Sequence, residues 1–116
     1  MDAATRRQLA GIRTIDFTTI GRRSGRPSRI EIWWFHFEDR FIITGRPGRR
    51  DWFANARANP RIVIHAEGDD HPATAEVITE PGFRRRMITT TKQHWYSSQA
   101  ELERMIAAAP MIEVRF

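Results

Sequence analysis

Cysteine is absent from the 116-residue sequence. Neither a disulfide framework nor a thiolate metal site is therefore available, and redox chemistry would need a bound cofactor. No apolar run approaches the roughly 20 residues that span a bilayer. The stretch 1–11 is charged and amphipathic, unlike a secretory leader. We therefore expect a cytoplasmic protein without stable membrane insertion.

Lysine is nearly absent as well, since Lys92 is the only non-arginine among the 19 lysine and arginine residues. The formal net charge of +5 predicts affinity for anions such as nucleic acid, a membrane surface or a phosphorylated small molecule. The guanidinium fork suits bidentate contacts to phosphate and carboxylate. Genomic codon bias explains the arginine excess equally well, so composition does not choose among these partners.

The chain length suits one domain covering residues 1–116. Hydrophobic periodicity and turn residues predict strands at 14–20, 29–37, 40–44, 61–66, 73–78 and 111–116. Helices are predicted at 2–9, 52–58 and 83–95 and between residues 98 and 110. Asp2, Asp51 and Ser98 are the expected helix caps. About six strands with short helices predict a mainly β, α+β fold, a small barrel with helical covers.

Two loops combine arginine with glycine, and each follows a predicted strand: residues 21–26 (GRRSGR) and 45–50 (GRPGRR). Glycines let a backbone come close to a ligand, and arginines supply charge-assisted hydrogen bonds. Thr44 adds a hydroxyl, and the start of the next helix adds free amides. No Walker or dinucleotide motif is present, which argues against a nucleoside triphosphate. Alternatively, both loops are solvated connections whose arginines serve solubility.

The segment TTIGRRSGRPSRIEIWWF, followed by ITGRPGRRDWFANARANPRIVI, resembles the core of the deazaflavin-dependent nitroreductase family. The resemblance covers Thr18 to Ile64 and includes Thr-Thr-x-Gly-Arg-x-Ser-Gly, an aromatic pair and a closing Asn-x-x-x-Asn-Pro. It implies a split β-barrel of antiparallel strands, like that of pyridoxamine phosphate oxidase, which binds the deazaflavin F420. It also implies that reduced F420 passes a hydride to an electron-poor acceptor such as a quinone or nitro compound.

The resemblance further implies which residues contact the cofactor. Residues 22–26 are expected near its acidic tail, and residues 29 and 44–50 near its phosphate. The complete set is Arg22, Arg23, Arg26, Arg29, Trp33, Thr44, Gly45, Arg46, Pro47, Arg49, Arg50 and Trp52. Two departures from the family pattern leave room for a different cofactor position: Glu31 replaces a frequent proline, and the loop 46–51 is unusually compact.

The resemblance places a substrate pocket at the late helix, where Tyr96 and His94 lie. Either side chain could donate the proton that accompanies hydride transfer, with Tyr96 preferred, while ordinary packing of the helix end is the alternative. Trp33 and Trp34 point to opposite faces of one strand, so one is expected in the barrel and the other facing the ring or a partner subunit. No histidine or carboxylate spacing predicts a metal site.

Three alternatives stay open beside the F420-dependent reductase. The same fold could bind FMN, or it could bind a flavin or deazaflavin without catalysis. A basic small barrel with exposed aromatics could instead stack nucleic-acid bases. For the leading hypothesis the expected partners are a small-molecule electron acceptor and a second copy of the chain in a homodimer, and no nucleic acid is expected.

Overall fold

The computed structural model describes all 116 residues as seven strands, four α-helices and one 3-10 turn, Gln93–Trp95. The helices are α1 (Ala3–Ala10), α2 (Asp51–Ala58), α3 (Pro81–Thr91) and α4 (Gln99–Ala108). The strands are β1 (Thr14–Ile20), β2 (Pro27–Trp33), β3 (Phe35–Phe37), β4 (Arg40–Thr44), β5 (Arg61–Ala66), β6 (Asp69–Val77) and β7 (Met111–Arg115). No helix is long and apolar enough to cross a bilayer.

All seven strands form one sheet in the order β2-β1-β5-β6-β7-β4-β3, and every neighbouring pair is antiparallel. The end strands β2 and β3 are separated in the chain only by Trp34. Because one residue joins the two ends of the sheet, the sheet must curl back on itself as a half-barrel. The predicted α+β fold of antiparallel strands with covering helices is confirmed.

The predicted strand at 29–37 is two strands, which accounts for seven strands where about six are predicted. Trp33 is the last residue of β2 to pair with β1, and Phe35 is the first residue of β3 to pair with β4. Between them, the backbone amide of Trp34 donates to the carbonyl of Arg13 at 2.9 Å, and its indole Nε1 donates to the carbonyl of Ile12 at 2.7 Å. These bonds hold Trp34 at the connection that precedes β1, so the chain changes partner strands there.

Apolar residues cover both faces of part of the curled sheet. The inner face holds the larger core, which includes Phe17, Trp34 and Phe41 and is capped by Leu9 of α1 and Trp52 of α2. The outer face of β3, β4 and β7 is covered by α3 and α4, which form a second apolar cluster. The remaining outer face, on β1, β2 and β5, carries polar residues at alternate positions.

The helix boundaries confirm two of the three predicted caps. The Asp2 carboxylate accepts a hydrogen bond from the Thr5 amide at 2.7 Å, and the Ser98 hydroxyl accepts one from the Glu101 amide at 3.1 Å. Asp51 as the N-cap of α2 is wrong. The extended residue before the helix is Arg50, and Asp51 is the first helical residue, where its charge still favours the helix dipole.

Helix α3 is shorter than the predicted 83–95. It begins at Pro81, behind the side-chain cap of Glu80, and ends at Thr91. The hydroxyls of Thr89 and Thr91 bond to carbonyls one turn earlier, a pattern that weakens helices. Lys92 then leaves the helical conformation, with φ −129° and ψ 33°, and the chain continues as the short 3-10 turn.

The hairpin between β5 and β6 turns one residue earlier than predicted, at Glu67 and Gly68 rather than across residues 68–70. Both residues have positive φ, 54° and 79°, as a two-residue type I′ turn requires. The aspartates at 69 and 70 therefore begin β6 and pair with Ala66 and His65.

Candidate functional site

Helix α2 draws the two arginine–glycine loops together. The side-chain oxygen of Asn55, a residue that is only 5% exposed, accepts hydrogen bonds from the amide of Arg22 at 3.1 Å and from its guanidinium at 2.8 Å. The amide group of Asn55 donates to the Thr19 hydroxyl at 3.3 Å. Loop 21–26 is thereby held against the helix that loop 45–50 precedes, so both loops surround the first turn of α2.

Loop 45–50 is shaped by its own last arginine. The guanidinium of Arg50 donates to the carbonyls of Arg46 and Arg49, each at 3.1 Å. The start of the loop is tied down by Thr44, a buried residue whose hydroxyl donates to the Pro110 carbonyl at 2.7 Å. The side chains of Thr44 and Arg50 therefore hold the loop in shape, because both donate hydrogen bonds to backbone carbonyls of the protein.

The predicted arginines divide into paired and unpaired groups. Arg22 forms an ion pair with Asp51 at 3.2 Å, and Arg29 forms one with Asp16 at 2.9 Å on the outer face of β1 and β2. Four others are exposed and make no ion pair with a protein carboxylate: Arg23, Arg26, Arg46 and Arg49. These four remain free to bind an external anion.

The adjacent tryptophans separate as predicted. Trp34 is 2% exposed and stacks on Phe41 with ring centres 4.6 Å apart, whereas Trp33 is 54% exposed. Trp52, predicted at the cofactor, lies in the inner core with its ring edge-on to Phe17 at 6.0 Å. Of these three tryptophans, Trp33 is therefore the one that is open to a ligand.

Trp33 begins an alternating series of aromatic rings and cations, which we name the aromatic–cation row. Its members in spatial order are Trp33, Arg13, Phe35, Lys92, Trp95 and Arg46. The guanidinium carbon of Arg13 lies 4.3 Å from the ring centre of Trp33 and 6.0 Å from that of Phe35. Nζ of Lys92 lies 3.2 Å from the centre of Phe35 and 5.3 Å from that of Trp95. Arg46 reaches within 5.9 Å of Trp95 and joins the row to loop 45–50.

Lys92 is the buried cation of the row. The residue is 4% exposed, and its ammonium makes no hydrogen bond or ion pair within the protein. Every fully buried polar side-chain atom in the structure has a partner, so the ammonium must retain some contact with solvent. Burial, and secondarily the charge of Arg13, lowers the pKa of Lys92 from 10.5 to about 8.

The predicted proton donors lie beside the row. His94 is exposed and its ring centre is 6.2 Å from that of Trp95, while Tyr96 is half-buried and packs against the second apolar cluster. Sequence reasoning did not identify Arg13 or Lys92 as site residues. A signal for Lys92 was present, because it is the single lysine of an arginine-rich chain and lies close to two predicted site residues.

A separate polar cluster lies on the open outer face of the sheet. The Thr18 hydroxyl is 2.7 Å from His65 Nε2, and His65 Nδ1 is 2.7 Å from the Asp70 carboxylate. The hydrogen bond with His65 lowers the pKa of Asp70. This order of groups is that of a hydrolase triad, but Thr18 lies mid-strand, paired with both β2 and β5, unlike an exposed nucleophile on a turn. The cluster joins β1 to the β5–β6 hairpin.

The structure holds no group of three or more histidine or acidic side chains placed to bind a metal ion.

Three solved structures share this fold at low sequence identity, and they establish the fold alone. An F420-H2-dependent reductase (FDR-A) is 15% identical, with a TM-score of 0.63 over 88% of this chain and 93% of its own. A FAD-binding protein from Mesorhizobium loti is 13% identical, with a TM-score of 0.63 over 100% and 90% of the two chains. A domain-swapped dimer is 16% identical, with a TM-score of 0.64 over 97% and 94%.

No curated protein sequence matches the chain. A family model does: that of the F420H(2)-dependent quinone reductases matches residues 1–111. The matched region contains both arginine loops, α2 and the whole aromatic–cation row. This family match favours the reductase over the nucleic-acid alternative. The chain belongs to the F420H(2)-dependent quinone reductase family, a family of oxidoreductase enzymes.

Proposed function

We propose that the protein binds reduced F420 with its phosphate on loop 45–50 and its acidic tail beside loop 21–26, and reduces a quinone at the aromatic–cation row. The observation that carries the proposal is the pair of arginine loops held around the first turn of α2, with four exposed arginines that make no ion pair within the protein. Unpaired guanidinium groups in a fixed arrangement are suited to phosphate and carboxylate oxygens.

The start of α2 adds donors to this arrangement. The first helical amide with a backbone partner is that of Ala54, which donates to the carbonyl of Arg50, and no side chain caps the helix. The amides of residues 51–53 are therefore available, and the helix dipole favours an anion there. The Asp51 carboxylate competes for this position, but its ion pair with Arg22 partly neutralises it.

The aromatic–cation row fits a planar ring system that carries or develops negative charge. Trp33 offers a half-exposed face, and Trp95 offers a second ring between Lys92 and Arg46. Aromatic faces stack on planar ligands, and the cations between them stabilise negative charge. The deazaflavin would supply the hydride, while the protein supplies orientation and charge. His94 and Tyr96 remain candidates for contact with the acceptor.

FMN is the second candidate cofactor. Its phosphate can use the same loop, and a FAD-binding protein shares the fold. F420 is preferred because its tail carries several carboxylates, which gives Arg23 and Arg26 a ligand that FMN lacks. An Arg23→Glu plus Arg26→Glu variant should weaken F420 binding about a hundredfold or more and leave FMN binding unchanged, since each of the two lost charge-assisted bonds is worth about 1.5–3 kcal/mol.

We also propose that the chain, as one domain, forms a homodimer. The domain-swapped dimer of the same fold supports this. In the single chain, β2 and β3 are the two end strands of the sheet, and each has one unpaired edge. Size-exclusion chromatography with light scattering measures the mass in solution, and a monomer across the micromolar range contradicts the proposal.

The phosphate site is tested by tryptophan fluorescence during titration with F420 and with FMN, using protein purified from a host without F420. Arg49→Glu should lower F420 affinity at least tenfold, since Arg49 is exposed, unpaired and not needed to shape the loop. Arg57→Glu, at the exposed far end of α2, is the matched control and should bind almost normally. Quinone-dependent oxidation of the bound reduced cofactor then tests the activity. A wild-type protein that responds to neither cofactor rules the proposal out.

A further inference from the structure

We propose that Lys92 is a catalytic residue that contacts an oxygen of the quinone and donates the proton that completes its reduction. This role rests on the proposed function. It assigns the proton donor to a residue other than His94 or Tyr96, and it places the acceptor oxygen beside the Lys92 ammonium, which lies 3.2 Å from the ring centre of Phe35 and 5.3 Å from that of Trp95.

The contacts of Lys92 leave its ammonium without a hydrogen-bonding or ion-pair partner in the protein. The residue is 4% exposed, and its ammonium lies 3.2 Å from the ring centre of Phe35 and 5.3 Å from that of Trp95. Burying a charge costs free energy unless a partner offsets it, and a cation–π contact offsets only part of that cost. No carboxylate or carbonyl of the chain supplies the rest.

The second buried cation of the chain, Arg84, differs from Lys92 in its hydrogen bonding. Arg84 is 8% exposed, and its guanidinium donates to the carbonyls of Ile106, Ile78 and Ala109. Each of the three guanidinium nitrogens of Arg84 thus has a hydrogen-bond partner within the protein. Lys92 is buried to a similar degree without such a partner, and its small remaining contact with solvent leaves hydrogen-bonding capacity that an oxygen of a bound molecule can fill.

The chemistry of the row singles out Lys92 for proton transfer. The charged and titratable groups around it are Arg13 beside Phe35, Arg46 beyond Trp95, and His94 and Tyr96 on the following residues. Guanidinium groups hold charge but do not release protons in proteins. Lys92, with its pKa lowered to about 8, is charged at neutral pH and still gives up a proton readily, as a general acid should.

Reduction of a quinone needs one proton in addition to the hydride, and Lys92 can supply it. Hydride transfer to the quinone brings two electrons and one hydrogen and leaves a phenolate at one quinone oxygen. The N–H bond of Lys92 breaks as the O–H bond forms, which yields the hydroquinone and a neutral amine. The amine then recovers its proton from water. The ammonium also stabilises the phenolate charge as it develops, before the proton moves.

Two substitutions separate proton donation from charge and packing. Lys92→Arg keeps the cation but cannot donate, so we expect kcat with a naphthoquinone to fall about a hundredfold with little change in KM. The wild-type fall in rate above pH 8 should disappear in this variant. Lys92→Met keeps the packed stem and should lower kcat and also raise KM. F420 affinity, measured by fluorescence, should be normal in both variants.

A readout without turnover follows from Lys92 being the only lysine. Protein labelled with 13Cε-lysine has one lysine Cε signal, whose pH titration should have its midpoint near 8. A hydroxynaphthoquinone anion, added without reduced cofactor, should raise that midpoint because it pairs with the ammonium. Arg57→Gln, at the exposed far end of α2 and away from the row, should leave both results unchanged.

The outcomes distinguish this role from the proposed function. A wild-type protein without F420 binding or quinone reduction overturns both. Normal wild-type turnover combined with an unaltered kcat in Lys92→Met overturns the role of Lys92 alone. A lysine signal that titrates near its ordinary pKa and ignores the quinone anion does the same.

Discussion

The side-chain oxygen of Asn55 accepts two hydrogen bonds from Arg22, one from the backbone amide at 3.1 Å and one from the guanidinium at 2.8 Å. The two residues are 33 positions apart in the chain. One buried amide thus ties loop 21–26 to α2 and sets the spacing between the two arginine loops.

Asn55→Leu should therefore disturb stability and ligand binding together. The substitution conserves volume but leaves the Arg22 amide and the Thr19 hydroxyl without their partner, so we expect a loss of about 1–3 kcal/mol in the free energy of unfolding. Urea denaturation measures it. F420 affinity should fall because loop 21–26 is released. Arg57→Gln, on the exposed side of the same helix, should change the stability by less than about 0.5 kcal/mol. Unchanged F420 binding in Asn55→Leu would show that the spacing of the loops is unimportant.

Replacing the two adjacent tryptophans should have opposite consequences. Trp34→Ala removes a core ring and its bond to the Ile12 carbonyl, so about 3–5 kcal/mol of stability should be lost. Trp33→Ala removes a half-exposed ring and should cost at most about 1 kcal/mol, chiefly its contact with Arg13. Trp33→Ala should nevertheless weaken F420 or quinone binding in fluorescence titrations. Equal destabilisation by the two substitutions would mean that Trp33 belongs to the core.

Arg84→Met should unfold at a lower denaturant concentration than the wild type. Arg84 joins α3 to the carboxyl end of α4 through the carbonyls of Ile106 and Ala109, and to the residue that follows β6 through the carbonyl of Ile78. Methionine leaves these three carbonyls without that donor. The expected cost is about 2–4 kcal/mol, partly offset because burial disfavours the charge and lowers the pKa of Arg84. Arg85→Met removes only the exposed ion pair with Glu103 and serves as the control, at about 1 kcal/mol or less. Similar losses in the two variants would contradict the structural role of Arg84.

Lys92→Met should be more stable than the wild type at pH 7. The folded protein lowers the pKa of Lys92 to about 8, so folding disfavours its charged form. Between about pH 8 and 10.5 the unfolded chain binds more protons at this residue, and wild-type stability rises with pH relative to the variant. The advantage of Lys92→Met, about 1–2 kcal/mol at pH 7 after allowing for solvent contact and the lost cation–π contacts, should shrink across that window.

Thermal or urea denaturation of both proteins at matched pH values measures this difference, and other titrating groups cancel in the comparison. A less stable Lys92→Met variant would show that the lysine is kept for packing. A more stable but less active variant is the pattern expected of a functional residue.

Much of the local structure could be predicted from the sequence. The bounds of β1 and the Asp2 and Ser98 caps agree with the structure. These features depend on alternation and on hydrogen bonds within a few residues, so nearby sequence is sufficient. The Asp51 cap was wrong because a carboxylate at the first helical position satisfies the same local preference.

The change of strand partner at Trp34 could not be predicted in this way. Residues 29–37 have continuous strand propensity, and nothing within the run marks the transfer from β1 to β4. The transfer is decided by the backbone and indole bonds of Trp34 to residues 12 and 13, more than 20 positions earlier. Contacts of this kind depend on how the sheet closes, which local periodicity does not record.

The candidate site, like the fold, could be predicted from the sequence only in part. The two arginine loops, the helix that follows the second loop and the family could be predicted from the sequence, because they lie in one ordered segment with its own spacing. Which arginines are free, and which side chains form the aromatic–cation row, depends on contacts between distant parts of the chain. Arg13, Phe35 and Lys92 come from three separate parts of the chain, and the fold of the half-barrel brings both cations within cation–π distance of the Phe35 ring.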